Sequence, residues 1–252
     1  MVLSLALAFI GSVVTVLLAA AAVVVRALTP TAGVVATAFG IVIVVFAGIA
    51  FLSLLILFVV GSTLATRYRF AEKRERHVQE GKSGERGVAN VVAHILLPTG
   101  LAVAGGASPT FLPLPTLAVL YTAALAFGAS DTFASEFGVL AGRARSILSF
   151  RPVEPGTNGG VSGLGEAAAL VGASSTALIG LALFVATGTK LPSYLLLFAV
   201  VTASGFLACQ FDSVLGELLE NRGFLTKHST NFFGMLSAVA VAAGLLAAAG
   251  AL

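Results

Sequence analysis

Long apolar runs separated by short polar segments make up most of the chain. A membrane-spanning helix needs about 20 consecutive, mostly apolar residues, and several of the runs reach that length. The pattern therefore predicts an all-α, polytopic transmembrane helix bundle. The apolar runs cover approximately residues 2–25, 33–65, 88–105, 112–137, 161–187, 192–219 and 230–252.

The run 33–65 is too long for one crossing, so it is either one tilted helix or two short helices that turn near Gly48. Cytoplasmic loops carry an excess of Lys and Arg. Two crossings place thirteen of the fourteen basic residues on one side, with only Lys190 on the other. We therefore expect a single integral membrane domain over residues 1–252, with about eight spans and both termini outside.

Composition supports a membrane protein rather than a soluble domain. The chain is 58% hydrophobic and only 10% charged, which leaves more apolar surface than one globular core can hide. The single cysteine, Cys209, excludes an intrachain disulfide and lies in an apolar run, where we interpret it as a packing residue. Residues 2–25 lack the basic start of a secretory signal, so we expect a retained helix.

Acidic residues are placed at the predicted cytoplasmic ends of two spans. Asp131 and Glu136 end the fifth span, and Asp212 and Glu217 end the seventh. Carboxylates at membrane depth are costly and usually face a protein-lined cavity. For Glu217, and for Glu220 beside the basic residue Arg222, a position at the lipid interface is the alternative.

The two spans share a pattern, "DTFASE" at 131–136 and "DSVLGE" at 212–217. Small residues nearby allow two such helices to pack closely, which would aim Asp131 and Asp212 into one space. Oxygen-only ligands suit Mg²⁺, which commonly completes its coordination with waters and phosphates. Scattered histidines and one cysteine offer no zinc spacing.

The segment "RPVEPGTNGGVSGLGE", residues 151–166, is rich in glycine and runs into the sixth span. Backbone N–H groups of Thr157 to Gly160 could converge near a helix N-terminus, where an anion is favoured. The segment lacks the lysine of a Walker A sequence, and such clusters are also ordinary turn chemistry. A plain loop is therefore the alternative.

The basic segment 67–90 is either a solvated loop on anionic lipid headgroups or a rim that collects phosphates, with Lys73 and Arg86 reaching inward. Asn90 and His94 are four residues apart and share one helix face. At this depth an unsatisfied imidazole is costly, so we expect His94 to be neutral and hydrogen-bonded. A contact with ligand or substrate is the sharper hypothesis.

Together these motifs resemble the integral membrane family that includes the phytyl-phosphate kinases of plants and cyanobacteria. The resemblance covers about residues 28–252 and leaves out 1–27. Departures are Phe133, where the family often has Trp, and Asn90 with His94, where it often has Gln and Asn. The motifs are "GSTLATRYRF…K" (61–73), "RGVANVVAH" (86–94), "ASDTFASEFG" (129–138), "RPVEPGTNGGVS" (151–162), "GFLACQFDSVLGELLENRG" (205–223) and "TNFFGMLSA" (230–238).

The resemblance implies a kinase that transfers a phosphoryl group from CTP to a prenyl monophosphate such as phytyl or geranylgeranyl phosphate, with Mg²⁺, in isoprenoid lipid metabolism. More distant kinship suggests a prenyl-alcohol kinase or a CDP-lipid synthase. Catalytic and metal-binding roles fall on Asp131, Glu136 and Asp212. Substrate and nucleotide contacts fall on Lys73, Arg86, Asn90, His94, Ser135, Arg151, Gly156, Thr157, Asn158, Gly159, Gly160, Ser162, Ser213 and Asn231.

The expected partners are the prenyl phosphate, a nucleoside triphosphate and membrane lipids, with a second copy of the chain in a homodimer as a candidate and no nucleic acid. The expected location is a prokaryotic cell membrane with a cytoplasmic active site. A proton- or ion-coupled transporter is the rival from another class, since buried acids can form a relay. A relay needs polar groups at several depths, and the outer halves of the spans hold almost no ionisable groups.

Overall fold

The computed structural model describes residues 5–81, 84–191 and 193–251; Lys82 of the basic segment lies outside them. The described chain is a helix bundle with one small sheet in its loops. Its helices are α1 (Leu5–Val24), α2 (Pro30–Phe46), α3 (Ile49–Arg67), α4 (Phe70–Glu75), α5 (Val88–Ala107), α6 (Leu114–Gly138), α7 (Gly163–Ala186), α8 (Tyr194–Leu215) and α9 (Lys227–Ala248).

Among the described residues, seven helices are long and apolar enough to cross a membrane: α1, α3, α5, α6, α7, α8 with its extension, and α9. The apolar α2 is shorter, at 17 residues. The predicted break near Gly48 is confirmed, because α2 ends at Phe46, α3 begins at Ile49, and Gly48 adopts a left-handed φ of 97°. Few residues other than glycine tolerate that conformation.

Helix α6 is the central helix, and it packs against α3, α5, α7, α8 and α9. Small residues allow the closest of these contacts. A Cβ atom built on Gly172 of α7 would lie 2.7 Å from the Ala129 carbonyl oxygen of α6. One built on Gly205 of α8 would lie 2.8 Å from the Cβ of Ala126. Helices this close replace side-chain packing by backbone contact, as is common in membranes.

Four loops meet at one end of the bundle. Backbone hydrogen bonds join Thr29 to the Arg86 carbonyl (3.1 Å) and Arg86 to the Ala27 carbonyl (3.0 Å), which ties the α1–α2 loop to the α4–α5 loop. Lys227 at the start of α9 pairs with Glu80 at 2.7 Å. All described Lys and Arg residues except Lys190 lie in these four loops or at the helix ends next to them. The bundle thus has one strongly basic side, as expected.

The α6–α7 loop contains a three-stranded antiparallel sheet that the sequence pattern did not predict. Its strands are β1 (Ala144–Ser146), β2 (Pro152–Val153) and β3 (Gly160–Val161), in the order β2-β1-β3. Ala144 pairs with Val153, and Ser146 pairs with Gly160. The sheet thus folds the glycine-rich segment back over the end of the bundle.

Candidate functional site

A cavity of about 560 Å³ lies at the loop end of the bundle, between α6, α7, α8, α9 and the connecting loops. Six carboxylate side chains line it, against a single lysine among the described residues, Lys227. Such a surface attracts cations, and it would repel a polyphosphate that arrived without them.

Twelve of the predicted site residues line this cavity, although they come from distant parts of the chain. They are Asp131, Ser135, Glu136, Gly156, Thr157, Asn158, Gly159, Gly160, Ser162, Asp212, Ser213 and Asn231. The other five, Lys73, Arg86, Asn90, His94 and Arg151, are not part of its walls. Arg151 is exposed at the start of β2.

Asp131 on α6 and Asp212 on α8 face the same space and lie close enough for their charges to interact. The Oδ1 atom of Asp212 is buried and has no hydrogen-bond partner within the described chain. It lies against Gly234 of α9, where a Cβ atom would come within 3.0 Å of it. A buried carboxylate oxygen without a partner is costly, so this oxygen is suited to a ligand that supplies positive charge.

Glu136 lines the same cavity as the two aspartates, but both of its carboxylate oxygens have partners in the described chain, so its predicted part in a three-carboxylate metal site stays a prediction. Its Oε2 atom pairs with the Lys73 ammonium at 2.6 Å, and its Oε1 atom accepts a 2.7 Å hydrogen bond from the Thr66 hydroxyl. Within the described residues, no three His, Cys, Asp or Glu side chains are arranged to hold one metal ion.

Lys73 departs from its predicted position on a phosphate-binding rim. Its side chain is fully buried, and its ammonium donates to the carbonyls of Ala65 (2.9 Å) and Thr66 (3.1 Å) as well as to Glu136. An ammonium has three N–H donors, so all of them are used. The cause is the chain reversal at Arg69, whose left-handed φ of 51° turns α4 back under α3.

Arg86 is buried beside the cavity, with 8% of its surface exposed. Within the described chain its guanidinium has no hydrogen bond or ion pair, although Glu80, Glu136 and Asp131 are near enough to attract it. Burial lowers its pKa and these carboxylates oppose that shift, but an arginine stays charged in either case. A buried cation with five unused donors is a strong candidate for binding an anion.

Glu80 and Lys227 form a pair at the cavity wall. Burial alone would raise the pKa of Glu80, but the charge and hydrogen bond of Lys227, with a contribution from Arg86, lower it overall. The pair therefore holds Glu80 ionised. Because the Lys227 side chain is about half exposed, it can also turn from Glu80 to a ligand.

Asn90, His94 and Asn231 form a buried chain of hydrogen bonds that joins α5 to α9. The Nδ1 atom of His94 lies 2.9 Å from the Asn90 carbonyl oxygen, and its Nε2 atom lies 3.3 Å from the Nδ2 atom of Asn231. A carbonyl can only accept, so Nδ1 carries the proton and Nε2 accepts from the Asn231 amide. His94 is therefore neutral and hydrogen-bonded, behind the cavity wall rather than in it.

The glycine-rich loop offers fewer free N–H groups than predicted. Those of Thr157 and Gly160 close turns with the carbonyls of Glu154 (3.1 Å) and Thr157 (2.8 Å). The N–H groups of Asn158 and Gly159 remain without a partner in the described structure. The loop packs on the end of α8, where the Gly159 nitrogen would lie 3.4 Å from a Cβ atom on Gly216.

Glu217 holds this loop region in place, so it neither lies free at the interface nor lines the cavity. It sits in the π-helical turn Gly216–Glu220 that extends α8. It accepts hydrogen bonds from the Ser146 hydroxyl (2.6 Å) and the Leu148 N–H (3.4 Å). Glu220, by contrast, is one of the carboxylates in the cavity wall.

Sequence reasoning missed Lys227, Glu80 and Glu166 in the cavity wall, and it left Glu220 between the cavity and the lipid interface. For Lys227 a signal was present. Thr226 and Ser229 form a reciprocal capping box that starts α9, whereas the apolar run suggests a start at residue 230. With the earlier start, Lys227 and Asn231 are one turn apart on the same helix face. Glu166 is held by a 2.9 Å hydrogen bond from Gln210, which no local pattern indicates.

The residues present fit a hard divalent cation bound together with phosphate. Asp131 and Asp212 provide carboxylate oxygens, one of them without a partner, and Mg²⁺ prefers a few such oxygens with the remainder from water and phosphate. The fold and site thus define a polytopic membrane protein with an acidic cavity and a buried arginine at one end of the bundle.

The chain belongs to the DUF92 family of integral membrane proteins, whose family profile matches residues 13–244. It is 33% identical over 204 residues to an uncharacterized membrane protein of Synechocystis, covering 79% of this chain and 74% of that one. It is 28% identical over 198 residues to one of Methanocaldococcus jannaschii, covering 78% and 76%. Protein PGR of Arabidopsis thaliana is 36% identical over 99 residues, or 37% of this chain and 34% of that protein. No solved structure matches the chain.

Proposed function

We propose that the protein is a CTP-dependent kinase that converts a prenyl monophosphate, such as phytyl or geranylgeranyl phosphate, to the diphosphate. One observation carries the proposal: the buried guanidinium of Arg86 has no hydrogen-bond partner in the described chain and is near enough to Asp131 for their charges to interact, and Asp131 shares an acidic cavity with the unpaired Oδ1 atom of Asp212. An anion alone would satisfy the arginine and a cation alone the aspartate. A phosphate group with a divalent cation satisfies both.

The chemistry needs little more than positioning and charge neutralisation. An oxygen of the prenyl phosphate attacks the terminal phosphorus of CTP, a new P–O bond forms, and the bond to the bridging oxygen breaks to release CDP. The attacking phosphate is already ionised at neutral pH, so no strong general base is required. Mg²⁺ would neutralise charge on the phosphate oxygens.

The residues of the cavity wall, together with the nearby Arg86 that is not part of the wall, divide into two groups under this proposal. Asp131 and Asp212 hold the cation, while Arg86, Lys227 and the free N–H groups of Asn158 and Gly159 contact phosphate oxygens. Ser135, Ser162, Ser213 and the glycines of the loop line the space for the nucleotide. Without a cation, the carboxylates would outnumber these donors and repel CTP, which makes the cation a requirement.

The location of the site follows from the same charges. Because thirteen of the fourteen basic residues are assigned to the loop end, the positive-inside rule supports a cytoplasmic position for the cavity. A prenyl phosphate would reach it with its chain among the apolar helices and its headgroup at the membrane surface. Nucleotides are available on that side.

The distribution of charge disfavours a transporter. In the described chain, all ionisable Asp, Glu, Lys and Arg side chains except Lys190 lie toward the loop end. A proton or ion pathway needs polar groups through the depth of the membrane. Among the described residues, the outer halves of the helices hold no Asp, Glu, Lys or Arg side chain.

Incubation of the purified protein with CTP labelled in its terminal phosphate, Mg²⁺ and a panel of prenyl alcohols and monophosphates tests the proposal. We expect label in a prenyl diphosphate, and loss of transfer in Asp131→Asn, Asp212→Asn and Arg86→Gln. The matched control is Glu75→Gln, an exposed acid on α4, which should keep full activity.

Transfer only to the alcohol would identify a prenyl-alcohol kinase. Release of pyrophosphate with a CDP-lipid product would identify a CDP-lipid synthase. Full activity in both aspartate variants would refute the assignment of the site.

A further inference from the structure

We infer that Asn231, not Glu136, supplies the third protein oxygen of the cation site, and that His94 acts as a positioning residue by fixing the orientation of the Asn231 amide. The inference extends the proposed function by naming the ligand set of the cation. It starts from the ion pair between Glu136 and Lys73, which engages the Glu136 carboxylate. A divalent cation held by Asp131 and Asp212 alone still has coordination positions for a further protein oxygen.

The side-chain amide of Asn231 can point in two ways, and the hydrogen-bond chain selects one. The Asn90 carbonyl requires a proton on Nδ1 of His94, and because this buried imidazole without a carboxylate partner is neutral, it carries no second proton and Nε2 must accept. The group of Asn231 that faces Nε2, at 3.3 Å, must therefore be the NH₂ group. The carbonyl oxygen Oδ1 is turned away from His94.

Asn231 is 3% exposed, yet it lines the cavity. Its NH₂ group is used by His94, and its Oδ1 atom has no hydrogen-bond partner in the described chain. The Oδ1 atom of Asp212 lies against Gly234, three residues further along α9. Asn231 and Gly234 share a helix face. The buried, unpartnered Oδ1 atom of Asp212 on α8 and the unpaired Oδ1 atom of Asn231 on α9 thus belong to residues that line the same cavity as Asp131 on α6.

Amide and carboxylate oxygens together are typical ligands of hard divalent cations. Asp131, Asp212 and Asn231 would give one oxygen ligand or more from each of three helices, with water or phosphate completing the coordination. Residues that orient a metal ligand from behind commonly change metal affinity by about 10–100-fold when they are replaced. His94 holds that position relative to Asn231.

Titration of the purified protein with Mn²⁺ alone, followed by the electron paramagnetic resonance signal of the free ion, tests the inference. We expect Asp131→Asn, Asp212→Asn and Asn231→Leu to lose most of the binding. Asn231→Asp keeps an oxygen and adds a negative charge, although it loses the donor to His94, and it should retain most of the binding that Asn231→Leu loses. The exposed control Glu75→Gln should bind Mn²⁺ as the wild type does.

His94→Leu should weaken Mn²⁺ binding about 10–100-fold although it removes no ligand. His94→Gln should recover most of the affinity, because its amide oxygen can accept the same hydrogen bond from Asn231. Thermal unfolding of each variant without added metal, followed by exposure of the buried Cys209 thiol, reports on folding.

Wild-type affinity in His94→Leu, or loss of binding in Asn231→Asp comparable to that in Asn231→Leu, would overturn the role of Asn231. Wild-type affinity in Asp131→Asn and Asp212→Asn would overturn the cation site itself. Because the titration contains no nucleotide or lipid, a protein that binds Mn²⁺ as expected but transfers no phosphoryl group would refute the kinase and leave the cation site standing.

Discussion

The ion pair of Lys73 and Glu136 should be one of the main determinants of stability at the loop end. Lys73→Met removes an ammonium that is fully buried and contacts two carbonyls and Glu136. The Glu136 carboxylate would then keep only the Thr66 hydroxyl. Breaking a buried pair by removing one partner costs about 3–5 kcal/mol, because the remaining charge is left uncompensated.

The size of the effect can be measured by thermal unfolding in detergent, with a fluorogenic maleimide that reacts with Cys209, the single cysteine, as it becomes exposed. For a chain of this length, about 2–4 °C per kcal/mol converts the expected loss into a midpoint lower by roughly 6–20 °C. The matched control is Arg74→Met, which removes an exposed positive charge from the same helix and should change the midpoint little.

A second variant separates the ion pair from simple packing. With Met at both positions 73 and 136, no charge is left unpaired, so the double variant should be more stable than Lys73→Met alone. If Lys73→Met unfolds within 2 °C of the wild type, or if the double variant is less stable by the sum of the two single effects, the reasoning about the buried pair is wrong.

Three further predictions concern the surroundings of the cavity. Glu217→Ala should release the α6–α7 loop from α8 and speed hydrogen exchange across residues 144–161, whereas the exposed control Glu154→Ala should not. Gly234→Ala places a Cβ atom 2.3 Å from the buried Phe127 ring and should cost about 1–3 kcal/mol in thermal unfolding; Gly244→Ala on the same helix meets nothing within 4 Å and should be neutral. The lowered pKa of Glu80 means that its pair with Lys227 stabilises the fold fully above the ordinary glutamate pKa of 4.5, and that this contribution is lost as pH falls through the lower folded pKa. The stability difference between wild type and Glu80→Gln should therefore be present at pH 7 and vanish in acid; a difference that is constant with pH would contradict it.

The membrane architecture was accessible from sequence because its signals are long. Runs of apolar residues predict the bundle, and the one-sided basic charge predicts the break near Gly48. The positive φ of Gly48 is the backbone conformation that makes this break. The strands of the loop sheet were not accessible, since two or three residues are too short to show alternation. They form because β1 pairs with segments on both sides in the folded loop.

Asp131 and Asp212 could be identified because a carboxylate at membrane depth has a high free-energy cost. The partners of the charged side chains around them could not be identified from the sequence. Lys73 reaches Glu136 because the chain reverses at Arg69, a left-handed residue that no pattern marks. Lys227 enters the cavity because α9 starts at a capping box before its apolar run. Both outcomes depend on where a helix begins and which way it turns, and these features are the least visible in a hydropathy pattern.

The most direct test of the central claim, that the cavity of Asp131 and Asp212 holds a nucleotide with its cation, is stabilisation of the protein by CTP and Mg²⁺. With both at a hundredfold excess over Kd, the free energy of unfolding should rise by about 2.7 kcal/mol. CTP without Mg²⁺ should give no such rise, and Mg²⁺ alone should give less than the two together. Asp131→Asn and Asp212→Asn should lose the CTP-dependent part. An equal rise in these variants, or one that needs no divalent cation, would contradict the account.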